Sequence, residues 1–111
     1  MVKLELNRII EKWVSVDTLL KELAEQIQKV KDPETDRLLS EFNIILEITR
    51  VDDGTIRVIY SPLSPASPVA VDLGRRIRKA VSEAAPNHKI QVICKGHLLD
   101  ELVNRLLEQS I

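Results

Sequence analysis

The hydrophobic positions of this chain change period along its length, and each change marks an element. Leu6, Ile9, Ile10 and Trp13 share one helical face, while the alternation of Val2, Leu4 and Leu6 with Lys3 and Glu5 also fits a short strand. After Asp17 the pattern is helical. Leu19, Leu20, Leu23, Ile27 and Val30 keep helix spacing, with Lys21, Glu22, Glu25 and Gln28 on the other side. Asp17 is placed to cap that helix. Asp32-Pro33 stops it near Lys31, because a residue before proline is pushed out of the helical region. Residues 34–41 are mostly polar, with room for a single helical turn.

The period then falls to two. Residues 43–51 predict a strand with Ile44, Leu46 and Ile48 on its apolar face, and Asp53-Gly54 supplies the positive-φ pair of a tight hairpin. The return strand, 55–60, sets Ile56, Val58 and Tyr60 against Arg57 and Ile59. Pro62, Pro65 and Pro68 then exclude any regular element. A helix is predicted over 68–84, where Val69, Leu73 and Ile77 recur every four residues. Ser67 would be its N-cap and Pro68 its first residue, until Pro86-Asn87 ends it. Residues 89–94 predict a third strand with Ile90, Val92 and Cys94 on one side. Beyond Gly96, the residues Leu98, Leu99, Leu102, Val103, Leu106 and Leu107 make the apolar face of a last helix. The expected architecture is α+β: N-terminal helices, a β-hairpin, a central helix, a third strand and a C-terminal helix, with a three-stranded sheet backed by helices. It is one domain over 1–111, with a helical region at 1–30 and the core at 31–107.

Composition narrows the class. The chain has 111 residues, 44% hydrophobic and 30% charged, enough apolar content for one core and too little for a disordered chain. A net charge of −1 argues against a nucleic-acid binder, and aromatics at 3% leave little on which bases could stack. There is no apolar run of the roughly 20 residues a membrane span needs, and no signal-peptide pattern, so a cytoplasmic protein away from membranes is expected. Cys94 is the single cysteine, which excludes an internal disulfide.

The stretch 61–79 is the natural centre for function. Its proline loop, with Ser61, Pro62, Ser64, Pro65, Ser67 and Pro68, leads into a helix N-terminus whose free amides and positive dipole could hold an anion or activate a nucleophile. A nucleophilic Ser67 needs a base. His88 and His97 are the only histidines and lie far along the chain, so the capping role is preferred. Asp52 and Asp53 are explained by the hairpin turn. Asp32 and Glu34 flank Pro33 in what reads as an exposed bend, a candidate metal or partner-binding pair. Cys94 and His97 form half of a metal site that a second chain would have to complete, although a strand-end cysteine is more often a small core residue. Arg75, Arg76, Arg78 and Lys79 share the outer side of the central helix, either as a solvated face or as a contact for an acidic partner or phosphate. No Walker loop, GxGxxG or GxxG loop is present.

Several motifs follow one another in a familiar order: Asp32-Pro33-Glu34, Phe42-Asn43-Ile44-Ile45, Asp52-Asp53-Gly54, Ser61-Pro62 and Pro65-Ala66-Ser67-Pro68. Gly74 with Ile77-Arg78, then Gly96-His97 and Asp100-Glu101-Leu102-Val103-Asn104, extend the match. Over about 30–107 the chain resembles the iron–sulfur cluster assembly and targeting family. That family includes SUF-associated T-type factors, the small subunit of the eukaryotic cytosolic iron–sulfur targeting complex, and the domain of unknown function fifty-nine. The resemblance implies an α+β fold whose loop before the central helix is the functional centre. That loop usually carries a cysteine, whose thiolate at a helix N-terminus can bind iron. Here Ser67 holds that position, and Asp36 stands where the family has a second proline. The expectation is a non-catalytic adaptor or scaffold that binds other iron–sulfur assembly proteins or client apoproteins through 61–68, Asp32, Glu34 and the basic helix face. A homodimer is implied by the resemblance, as is an iron–sulfur cluster as cargo, with none expected on this chain alone. The alternatives are a cluster or metal carrier using Cys94 and His97 across a dimer, and a phosphate, small-ligand or RNA-binding module.

Overall fold

The computed structural model describes residues 18–109; the helix-or-strand pattern at 2–13 and the Asp17 cap lie outside them. Helix α1 (Thr18–Gln28) buries Leu20, Leu23, Ala24 and Ile27, the stripe its spacing predicts. The chain then makes a closed turn. Lys31 bridges to Leu38, Asp32 N–H donates to Arg37 O at 2.8 Å, and Leu39 N–H donates to Val30 O at 2.8 Å. Asp32 is not in an exposed bend: it is 2% exposed. Its Oδ2 accepts from Thr35 N–H and Thr35 Oγ1, both at 3.0 Å. Asp36 follows at φ 60°, a conformation aspartate tolerates and proline, locked near −65°, cannot adopt. A short 3-10 turn, Leu39–Glu41, buries Leu39 and leads into the sheet.

Strands β1 (Ile45–Asp52), β2 (Thr55–Tyr60) and β3 (Lys89–Cys94) form a three-stranded sheet in the order β1-β2-β3. The first pair is antiparallel and the second parallel. Helix α2 (Ala70–Ala84) makes the crossover between β2 and β3, and α3 (Asp100–Glu108) follows β3. Ile48, Ile56, Val58, Tyr60, Val92 and Cys94 meet the buried sides of all three helices in one core. On the other face Arg57 Nε–H donates to Gln91 Oε1 at 2.8 Å.

Three local expectations are corrected. Leu46 is 43% exposed while Ile44 and Ile48 are buried, because β1 carries a bulge between Ile45 and Glu47 that shifts its register against β2. A second irregularity lies between Arg50 and Asp52, and Asp53-Gly54 turns without positive φ, with Asp52 Oδ1 accepting Gly54 N–H at 2.9 Å. Extra residues beside the turn relieve the twist that a positive-φ pair would otherwise absorb. In the last helix only Val103 and Leu107 are buried, whereas Leu98, Leu99 and Leu102 face outward. Among the described residues no helix is long and apolar enough to cross a membrane.

Candidate functional site

The parallel register of β2 and β3 ends with Tyr60 beside Cys94, so the loop leaving β2 and the corner leaving β3 emerge side by side. This brings residues 61–69 against residues 95–99. Ser61 N–H donates to Ile44 O at 2.8 Å and Lys95 N–H to Tyr60 O at 2.9 Å, which fixes the two exits. Gly96 has φ 86°, and a Cβ there would lie 2.6 Å from Ser61 Oγ, so only glycine lets the two segments pass this closely.

The proline loop is ordered by its own bonds. Ser67 N–H donates to Ser64 O at 3.1 Å and Ala66 N–H to Ser64 Oγ at 3.3 Å. Pro62 is buried, Ser61 and Ser64 are half-buried, and Pro65, Ala66 and Pro68 are exposed. Ser67 is 4% exposed, and its Oγ accepts Val69 N–H at 3.3 Å. The predicted cap is displaced. Pro68 and Val69 form a turn, α2 starts at Ala70, and the N-cap is Val69 without a side-chain bond. Ser67 therefore organises the approach to the helix and not its first turn.

Folding does bring a histidine to Ser67, but to its carbonyl. His97 Nε2 lies 2.9 Å from Ser67 O, and a carbonyl can only accept, so Nε2 carries the proton. Nδ1 in turn accepts Leu99 N–H at 2.9 Å. Both ring nitrogens are engaged and the neutral tautomer is fixed, leaving no lone pair for a serine hydroxyl. The pair is joined as structure, not as nucleophile and base.

Behind His97 sits a polar cluster built on Asp100 and Asn104, which the sequence offered only as members of a motif, without a role. Asp100 Oδ1 accepts His97 N–H at 2.8 Å and the Cys94 thiol at 3.7 Å, and Oδ2 accepts Gly96 N–H at 3.2 Å. Asn104 closes the free edge of β3. Its Oδ1 accepts Cys94 N–H at 2.7 Å and its Nδ2 donates to Cys94 O at 3.1 Å, as a fourth strand would. The available signal was an amide on the inner side of a helix, next to Val103 and in phase with Asp100 and Leu107. Tyr60 O–H donates to Ala70 O, and burial pushes the phenol well above its ordinary range. Gly74 makes room for it: a Cβ there would lie 2.6 Å from Tyr60 Oη and from Leu107 Cδ2.

Neither member of the Cys94–His97 pair is presented as a free ligand, since both His97 ring nitrogens are hydrogen-bonded. Cys94 is 1% exposed, and burial raises its thiol from 9.0 to about 11, the opposite of a poised thiolate ligand. Among the described residues no group of three His, Cys, Asp or Glu side chains could hold a metal ion. An iron–sulfur cluster needs accessible thiolates, so the donors present do not fit one as a ligand set. The basic face is also partly committed. Arg76 pairs with Asp72 at 3.3 Å and donates to Lys31 O at 3.0 Å, tying α2 to the turn after α1. Arg78 is half-buried and donates to Leu107 O, capping the negative end of α3. Arg75 and Lys79 are exposed, as is Glu34.

No family model matches this sequence, and no curated protein matches it either. In structure it is similar to the crystal structure of a domain of unknown function, DUF59, from Bacillus anthracis. The TM-score is 0.66 over 86% of this chain and 93% of that one, at 17% sequence identity. A likeness at that identity is one of backbone and topology, and on that ground this chain has the α+β fold of a DUF59 domain.

Proposed function

We propose that this protein is an iron–sulfur cluster assembly or targeting factor that works as a non-catalytic adaptor. Its proline loop meets other assembly proteins or client apoproteins. The observation that carries this reading is the fixed presentation of that loop. His97 holds Ser67 O, and Leu98 N–H donates to Pro65 O at 2.8 Å, while Pro65, Ala66 and Pro68 stay open. An exposed loop that is already ordered loses little further entropy on binding, which suits a docking element. The DUF59 fold and the motif order support the same assignment. A carrier reading through Cys94 and His97 is weaker, because the thiol is buried and both imidazole nitrogens are engaged.

Two experiments test the proposal together. In anaerobic reconstitution with iron and sulfide, the parent and Cys94→Ser should both stay colourless. A parent cluster lost in Cys94→Ser would replace the adaptor by a carrier. In affinity purification from the native cell, Pro65→Glu should lose iron–sulfur assembly proteins or apoproteins that the parent retains. If no such protein depends on the loop, the reading fails.

A further inference from the structure

At the other end of β2 from the proline loop, the hairpin tip carries chemistry of its own. Asp53-Gly54 is the one place in the chain where an aspartate or asparagine precedes a glycine. Both residues are exposed. An aspartate carboxyl carbon lies one methylene from its Cα, so it can close a five-membered ring on the amide nitrogen of the next residue. A side chain on that next residue obstructs the ring, and glycine has none. The space around Gly54 is open too: its chain neighbours aside, a Cβ there would meet nothing closer than Asp52 Oδ1, at 3.9 Å. The amide that would react is nevertheless engaged, since Gly54 N–H donates to Asp52 Oδ1 at 2.9 Å. Reaction requires this nitrogen to give up its proton, and a carboxylate beside it opposes the negative charge that then develops. Asp52 is a weak base for that proton. The Gly54 amide first, and the Thr55 hydroxyl after it, hold its carboxyl below the ordinary carboxylate range.

We propose that Asp53-Gly54 is a site of spontaneous isoaspartate formation in the folded protein, and that the Asp52 carboxylate holds its rate down. The nitrogen of Gly54 attacks Cγ of Asp53 in its protonated carboxyl form. An N–C bond forms, and the carboxyl hydroxyl leaves with the amide proton as water. One water then opens the cyclic imide. Opening at Cγ restores aspartate, whereas opening at the main-chain carbonyl of Asp53 leaves the chain running through Cγ, longer by one methylene. No other reactant is consumed. The longer link lies directly before Gly54, whose O accepts Lys89 N–H at 2.7 Å, the bond that joins the hairpin to the start of β3. The modification weakens that joint and leaves the proline loop, at the far end of β2, in place. It stands apart from the proposed function, and either can fail alone.

Peptide mapping of the full chain after prolonged incubation at mildly acid pH tests it, with electron-transfer fragmentation to tell isoaspartate from aspartate. The folded parent should accumulate isoaspartate at position 53. Asp52→Ala should form it about tenfold faster, the worth of one hydrogen bond to an exposed charged group. Asp52→Asn, which keeps an acceptor without the charge, should fall between the two. Asp52 is exposed, so both variants should keep the far-UV circular dichroism of the parent. Gly54→Ala, which the open space at Gly54 admits, should lose the modification. In the aged parent, hydrogen exchange should show the Lys89 amide losing protection while the Leu99 amide keeps it. A folded parent that forms no isoaspartate, over an incubation in which the urea-unfolded chain does, overturns the site. Asp52 variants that react no faster than the parent overturn the restraint, and variants that react more slowly make Asp52 the base.

Discussion

The imidazole of His97 donates Nε2–H to the carbonyl of Ser67, 2.9 Å away across the junction of the proline loop and the β3–α3 corner. Its other nitrogen takes the Leu99 amide at 2.9 Å, so one side chain ties the proline loop to the β3–α3 corner. Replacing His97 by Ala should cost about 1–3 kcal/mol, the usual range for stranded partners. The specific readout is hydrogen exchange. The Leu99 amide should lose protection more than the amides of β2 do, and equal losses would mean that His97 is a packing residue, not a clamp.

Asn104 pairs with both backbone groups of Cys94. Asn104→Ala strips the edge of β3 of its donor and acceptor together and should lower stability by about 2 kcal/mol in urea denaturation. Asn104→Asp keeps the acceptor and places a charge against Cys94 O, so it should be no better than Ala. A neutral Asn104→Ala would mean that water replaces the amide without loss.

Cys94 gives a pH dependence whose sign is fixed. Its folded thiol titrates at about 11 against an ordinary 9.0. Between those values the unfolded chain releases a proton that the folded one keeps, so stability present below about pH 9 is lost as pH rises towards 11. The loss should be on the order of 1–2 kcal/mol once solvent screening is allowed for. Cys94→Ala removes this slope, and what remains at higher pH belongs to Tyr60, whose phenol is also raised. In the native fold near pH 7, Cys94 should react with a thiol reagent only as fast as the protein opens. Immediate labelling would contradict its burial.

Gly74→Ala sets two effects against each other. Alanine is the better helix former by about 1 kcal/mol. Its Cβ, however, would sit 2.6 Å from Tyr60 Oη and from Leu107 Cδ2, and neither can retreat from a packed core without loss. Overpacking of this kind costs about 1–3 kcal/mol, so the net change should be destabilising. A rise in melting temperature would show that Tyr60 and Leu107 have room to move.

The order and type of elements were set by local periodicity. Leu20, Leu23 and Ile27 specify α1, Ile56, Val58 and Tyr60 specify the inner face of β2, and Leu73 with Ile77 specifies the buried side of α2. Each depends only on the repeat of backbone geometry along a few neighbouring residues. Where that repeat is interrupted, the sequence pattern misplaces side chains. The β1 bulge turns Leu46 outward, and the turn at Pro68-Val69 moves Ser67 away from the cap.

The candidate site was half legible for the same reason. The proline loop and the helix after it can be read from composition, but their partners cannot, because His97 and Asp100 lie on a different segment. Only the parallel pairing of β2 with β3, ending at Tyr60 beside Cys94, lays the 95–99 corner along the loop. That pairing joins distant stretches through backbone hydrogen bonds, which any sequence can make, and so leaves little trace in either stretch. What the residues by themselves determined is which elements form and which faces they bury. What the tertiary structure decided is which loops meet, whether Ser67 has a base or a brace, and which leucines of α3 remain in water.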